Sequence, residues 1–144
     1  MKKNITILFA CFLIHLASFC QPCFQPGSLV SVRTTSSEKF DYIIFKFLKP
    51  HSDKGILTGG NPEFFTGSNT KKSTYHKIAF NLVTHLCDNK MSLVALSKRL
   101  LNFKVQQKTQ NMVAYGFELS EKSKITAHFL MQQRDMYFVK IRIE

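Results

Sequence analysis

The side chains able to do chemistry are scattered along this chain. His51, His76, His85 and His128 could serve as bases or metal ligands, but no His-x-His or His-Glu-x-x-His spacing joins them. His76 and His85 fall at opposite ends of one extended run, about 30 Å apart. That is too far to share a metal ion. The 9 Asp and Glu are dispersed, with no pair standing out as the facing carboxylates of glycoside hydrolysis. No serine occupies a Gly-x-Ser-x-Gly elbow. Gly59-Gly60 is a lone loop pair rather than a phosphate cradle. No catalytic residue, metal ligand or cofactor site is assigned, and the expectation is a protein that is not an enzyme.

The cationic residues carry more. Lys71 and Lys72 stand near Lys77, Lys140 alternates with Arg142 near the end of the chain, and Lys46 lies among aromatics close to Tyr42. Strand lysines beside aromatic rings present both charge and a stacking surface. Lys46, Lys71, Lys72, Lys77, Lys140 and Arg142 are therefore the candidate binding residues. The competing reading is a solvated basic face that only aids solubility.

The N-terminus bears on which partner this charge would meet. Met1-Lys2-Lys3 is basic, and residues 5–19 (ITILFACFLIHLASF) are apolar apart from Thr6, His15 and Ser18. Such a run is shorter than the roughly 20 residues a bilayer-spanning helix needs. With the small side chains of Ser18 and Cys20 beside it, it has the form of a secretory signal peptide. Cleavage before Gln21 is the first choice and cleavage after Ser18 the rival. An uncleaved anchor and a lipoprotein modified at Cys20 are the alternatives; Phe19 before that cysteine opposes the latter. The expected location is the periplasm, the cell surface or the medium, with no transmembrane helix after signal removal. Without residues 1–20 the chain has 18 Lys and Arg against 9 Asp and Glu, a formal charge of +9. Export argues against nucleic acid as the partner. An anionic envelope polymer, or an envelope protein, is the natural one.

Cys20-Gln-Pro-Cys23 has the spacing of a redox or metal motif, but no strand precedes it and Cys20 is expected to leave with the signal. Cys23 and Cys87 then remain in an oxidising compartment, which favours one disulfide between them.

The elements that must hold these residues are strands. Residues 21–28 (QPCFQPGS) form a Pro/Gly-rich leader to a single domain over 29–144. Leu29 to Arg33 is a short strand. In FDYIIFKFLKP, Ile43, Phe45 and Phe47 point one way and Tyr42, Ile44 and Lys46 the other. Both faces are largely apolar, so this strand is central, and Pro50 ends it. Residues 51–74 form a long polar connection, with a short strand candidate at Gly55-Ile56-Leu57. Tyr75 to Thr84 alternates again, with Ile78, Phe80 and Leu82 on one side. Asp88 to Leu101 is the one helical candidate. Three alternating runs close the chain: Val113, Tyr115, Phe117, Leu119; then Ile125, Ala127, Phe129, Met131; then Tyr137, Val139, Ile141, Ile143. Their spacing predicts a C-terminal antiparallel three-strand meander. The expected class is mainly β, a sandwich or small barrel with at most one short helix.

FDYIIFKF, preceded by Val30-Ser31-Val32-Arg33, resembles the opening of the AMIN-like domain family, whose members often carry V-x-V and then FDRVVFEF. YHKIAFNL falls where that family has its second apolar strand. The residues from Asn111 to Glu144 are similar to its strand, charged turn, strand and closing strand, so the likeness spans about 29–144. Tyr42 stands for the usual Arg, Lys46 for the usual Glu, and Arg134-Asp135-Met136 lacks the family's Pro. The resemblance implies an exported sandwich-like domain. The related AMIN domain targets amidases and secretins to the envelope and binds peptidoglycan. The likeness carries over no catalytic residue. A small secreted enzyme or enzyme inhibitor is the alternative, distinguished by polar groups converging in an apolar pocket rather than a flat basic sheet face.

Overall fold

The structure, a computed structural model, describes residues 27–48, 63–69, 73–81, 83, 85–87, 94–109 and 112–144. The described residues form eight strands: β1 (Leu29–Ser36), β2 (Asp41–Leu48), β3 (Glu63–Asn69), β4 (Ser73–Asn81), β5 (Leu100–Lys108), β6 (Met112–Ser120), β7 (Ile125–Gln133) and β8 (Met136–Ile143). They make two antiparallel four-stranded sheets, sheet I in the order β1-β2-β8-β7 and sheet II in the order β3-β4-β6-β5. The sheets face each other as an open sandwich, and no helix occurs among the described residues.

Period-two alternation builds this core. Ile43, Phe45 and Phe47 of β2 and Val139, Ile141 and Ile143 of β8 supply the inner face of sheet I. Ile78 and Phe80 of β4 and Val113, Tyr115, Phe117 and Leu119 of β6 supply that of sheet II. Phe45 links the layers, with its ring centroid 4.7 Å from Phe80, 5.3 Å from Tyr115 and 6.2 Å from Phe103. Burial among these rings pushes the Tyr115 phenol up to about 12. As expected, β2 is a central strand, paired with β1 and β8 on its two sides.

The C-terminal meander is corrected. β7 and β8 form a hairpin in sheet I, but β6 belongs to sheet II, between β4 and β5. Alternation marks a half-buried strand without saying which layer it joins. The charged turn after Ser120 carries the chain from one sheet to the other. The alternating set of β7 is split: Ile125 packs against the core, but the register shift between Ile125 and Ala127 turns Ala127, Phe129 and Met131 to the outer face, opposite Arg142, Lys140 and Phe138. The helical candidate is absent from its described part. Val94 to Arg99 is irregular, and Leu100, 1% exposed and opposite Leu119, opens β5. Burial of Leu100 in the sheet overrides a short 3.6-residue pattern. Its residues 88–93 lie outside the described residues, as do the expected signal segment (1–20), residues 21–26 of the expected leader, the Gly55–Leu57 candidate and Leu82.

Two connections clasp the β1 side of the sandwich. The Leu29 N–H donates to the His85 carbonyl (2.8 Å), and the Cys87 N–H donates to the Leu29 carbonyl (3.0 Å). Nearer the other end of β1, the Thr34 hydroxyl both donates to the Ala95 carbonyl (2.9 Å) and accepts from the Ala95 N–H (2.7 Å). Gly27 and Ser28, read as leader, are already structural: both are buried, and their backbones bond Leu48.

Candidate functional site: a cationic, aromatic sheet face

Because β2 buries its odd-numbered residues, its even-numbered residues form the outer face of sheet I. Register then decides their neighbours. Tyr42 lies opposite Arg142, Ile44 opposite Lys140, and Lys46 opposite Phe138. On the β1 side, Arg33 lies opposite Ile44 and Thr35 opposite Tyr42. On the β7 side, Phe129 lies opposite Lys140 and Met131 opposite Phe138. The outer face thus interleaves Arg33, Lys46, Lys140 and Arg142 with Tyr42, Phe129 and Phe138.

The cations engage the rings. Lys140 Nζ sits 3.8 Å from the Tyr42 centroid, and the Arg142 guanidinium carbon sits 5.9 Å from that of Phe40. Phe40 and Tyr42 meet edge to face at 5.2 Å. Cation–π contact of this kind orients a charge without neutralising it. Arg142 is further fixed by Nε donating to the Thr126 hydroxyl (3.0 Å) and by an ion pair with Glu144 at the rim (2.8 Å). No ion pair joins Arg33, Lys46 or Lys140 to a carboxylate among the described residues. The single acid within the strands of sheet I is Asp41, which is 2% exposed and faces inward. There it accepts a hydrogen bond from the Ser97 hydroxyl (2.5 Å) and pairs with Arg99 (3.4 Å). The outer strand positions therefore hold positive charge and aromatic area, with the Glu144 carboxylate against Arg142 at the rim and no carboxylate paired with Arg33, Lys46 or Lys140 among the described residues.

Of the six expected binding residues, Lys46, Lys140 and Arg142 come together on this face. Lys77 does not: it lies on the outer side of sheet II, its ammonium 5.7 Å from the Phe65 centroid. Lys71 and Lys72 lie outside the described residues. Arg33, Phe40, Phe129 and Phe138 join the site without having been singled out. Arg33 has the outward parity of its strand, yet only the β1–β2 register sets it beside Ile44 and Lys140.

The outer face of sheet II is different in kind. Tyr75 lies along the strands, its ring edge over Gly67 and its hydroxyl over Gly116. A methyl group at position 67 would come within 2.6 Å of its Cδ1. Desolvation, and then the nearby Glu118 carboxylate, push its phenol pKa up. Glu63 and Glu118 both belong to this sheet.

The histidines do not converge. His76 stacks on Phe117 at 5.5 Å, and burial lowers its pKa. His128 packs on Phe64 at 4.9 Å. His85 Nδ1 is buried with no hydrogen-bond partner among the described residues. Among the described residues no group of three or more His, Cys, Asp or Glu is placed to hold a metal ion, and no helix is long and apolar enough to cross a membrane. Cys87 is buried, and its expected partner Cys23 lies outside the described residues. Compared with protein-family models, curated proteins and solved structures, the chain matches none.

Proposed function

We propose that this is an exported, cell-envelope-associated β domain that binds an anionic envelope polymer, such as peptidoglycan, through the outer face of sheet I. One observation carries the reading. Arg33, Lys46, Lys140 and Arg142 share that face with Tyr42, Phe129 and Phe138, and the one acid in those strands is turned inward. Cations spread over a flat sheet suit a polymer with repeated negative charge, which can contact several at once. Aromatic faces between them suit the apolar side of a sugar ring. The formal charge of +9 without residues 1–20 adds long-range attraction. The signal-like N-terminus supports export, and the resemblance to the AMIN-like domain points to the same compartment and polymer. Oxidation of Cys23 and Cys87 to a disulfide belongs to this reading.

Co-sedimentation of the purified protein with isolated sacculi, at low and high salt, tests the proposal. Binding should be strong at low salt and largely lost at about 0.5 M, where charges are screened within about 4 Å. Retention unchanged by salt would reject the cationic face as the binding surface.

A further inference from the structure

Among the described residues the four edge strands of the sandwich are β1, β7, β3 and β5. An edge exposes unpaired N–H and C=O groups and pairs with other strands unless charge, proline, a bulge or a covering segment prevents it. Three edges are guarded. β1 carries Arg33 and is held by the 85–87 segment at the Leu29 backbone and by Ala95 at the Thr34 hydroxyl. β3 carries Glu63. β5 carries Lys104 and Lys108 and two register shifts. β7, with the sequence ITAHFLMQQ, has no Lys, Arg, Asp, Glu or Pro. Its single register shift lies at Ile125/Ala127, which leaves 127–133 regular. From His128 onward every β7 residue is exposed, including Phe129 at 40%, Leu130 at 46% and Met131 at 53%.

We propose that β7 is a self-association edge, pairing antiparallel with β7 of a second copy about a two-fold axis at Leu130. The β7–β8 hairpin closes through Arg134 and Asp135, with Gln133 opposite Met136. A two-residue turn makes that flanking pair a hydrogen-bonded one, and the pattern alternates from there. The backbone groups of Gln132, Leu130 and His128 therefore point away from β8, toward the open edge. An axis at Leu130 sets Leu130 opposite its own copy and His128 opposite Gln132 of the partner subunit. On the cationic side it sets Phe129 opposite Met131 of the partner subunit, and the reverse. All three exposed apolar residues thus meet apolar partners, including a sulfur–aromatic contact.

Side-chain complementarity selects a second copy as the occupant: in the register centred on Leu130 the exposed Phe129, Leu130 and Met131 each meet an apolar side chain, and no like charges lie opposite each other between Ile125 and Gln133. The axis runs perpendicular to the sheet, so the two outer faces of sheet I would join on one side into a single doubled cationic surface.

Sedimentation velocity on the full exported chain tests the association. Wild type should run at twice the monomer mass at micromolar concentration, and Leu130→Lys, which sets two like charges across the axis, should run as a monomer with an unchanged far-UV CD spectrum. A wild-type mass of one chain throughout, or open-ended association, overturns the proposal. Should Leu130→Lys fail to fold, Leu130→Cys decides. Self-opposed hydrogen-bonded residues have Cα atoms about 5.5 Å apart, within disulfide range. Leu130→Cys should therefore cross-link to a dimer on mild oxidation, while Gln133→Cys, displaced from the axis, should not. Equal cross-linking of the two variants, or none by Leu130→Cys, overturns the pairing.

Discussion

Lys140 holds its ammonium 3.8 Å from the centre of the Tyr42 ring, although its direct cross-strand neighbour is Ile44. The residue opposite Tyr42 is Arg142, which turns instead to Phe40, Thr126 and Glu144. Each cation thus rests on an aromatic ring, one along the face and one at its rim. Aromatic support keeps the chains extended over the sheet and leaves the Lys140 charge unneutralised.

Reversal of that charge separates binding from stability. Lys140→Glu should lower retention on sacculi by about tenfold at low salt, and Lys140→Glu with Lys46→Glu by more. An exposed cation–π contact contributes only about 0.5–1 kcal/mol, so thermal unfolding should move by a few degrees at most. A pull-down paired with a melt reads both. Equal binding by the variants and wild type would remove the face from the mechanism.

Asp41 should be the most sensitive polar residue. It is 2% exposed and joins the β1–β2 hairpin to the 94–99 connection through Ser97 and Arg99. Asp41→Ala leaves Arg99 without its carboxylate and Ser97 without its acceptor. The expected loss is about 2–3 kcal/mol in urea unfolding, with less for Ser97→Ala.

Gly116 is opposite Lys77 on β6, beneath the Tyr75 hydroxyl and the Gln106 side chain. A methyl group there must displace both. Gly116→Ala should destabilise by about 1 kcal/mol, and the cost should shrink when Tyr75 is also replaced by Ala. A double-mutant cycle in denaturant measures the coupling.

Burial lowers the His76 pKa below its usual value. The unfolded chain therefore binds its proton more readily than the folded one. The favourable contribution is fully present above the unfolded pKa of about 6.5. It declines as pH falls from there through the folded pKa, and is constant below that. Melting temperature should drop on acidification from pH 7 to pH 5, and His76→Gln should flatten that slope.

Cys87 donates its N–H to Leu29, the residue six positions after Cys23. A Cys23–Cys87 bond would close a loop of 65 residues, worth about 4 kcal/mol on chain-entropy grounds. Non-reducing peptide mapping of the protein isolated without reductant should recover the linked pair, and reduction should lower the melting temperature. Two alkylatable thiols in the folded protein would refute the bond.

Alternation in the sequence was enough to determine a mainly β chain and the inward sets of β2, β4, β6 and β8, because an apolar residue at every second position must face a core whatever its partners. It also put Lys46, Lys140 and Arg142 on the faces opposite those sets. Partnership was decided by the tertiary structure. The same period fits either layer, so β6 could not be assigned to sheet II, nor Arg33 and Phe138 brought beside Lys46 and Lys140, without register. β3, with its Gly, Ser, Thr and Asn, and β5, with its Lys and Gln, lack a strand's apolar rhythm; they are held by pairing with the buried β4 and β6. β7 shows the converse. Its Ala127, Phe129 and Met131 continue the rhythm that Ile125 begins in the core, yet they face outward, because the register shift between Ile125 and Ala127 reverses the strand's parity, and only the pairing with β8 decides where such a shift falls.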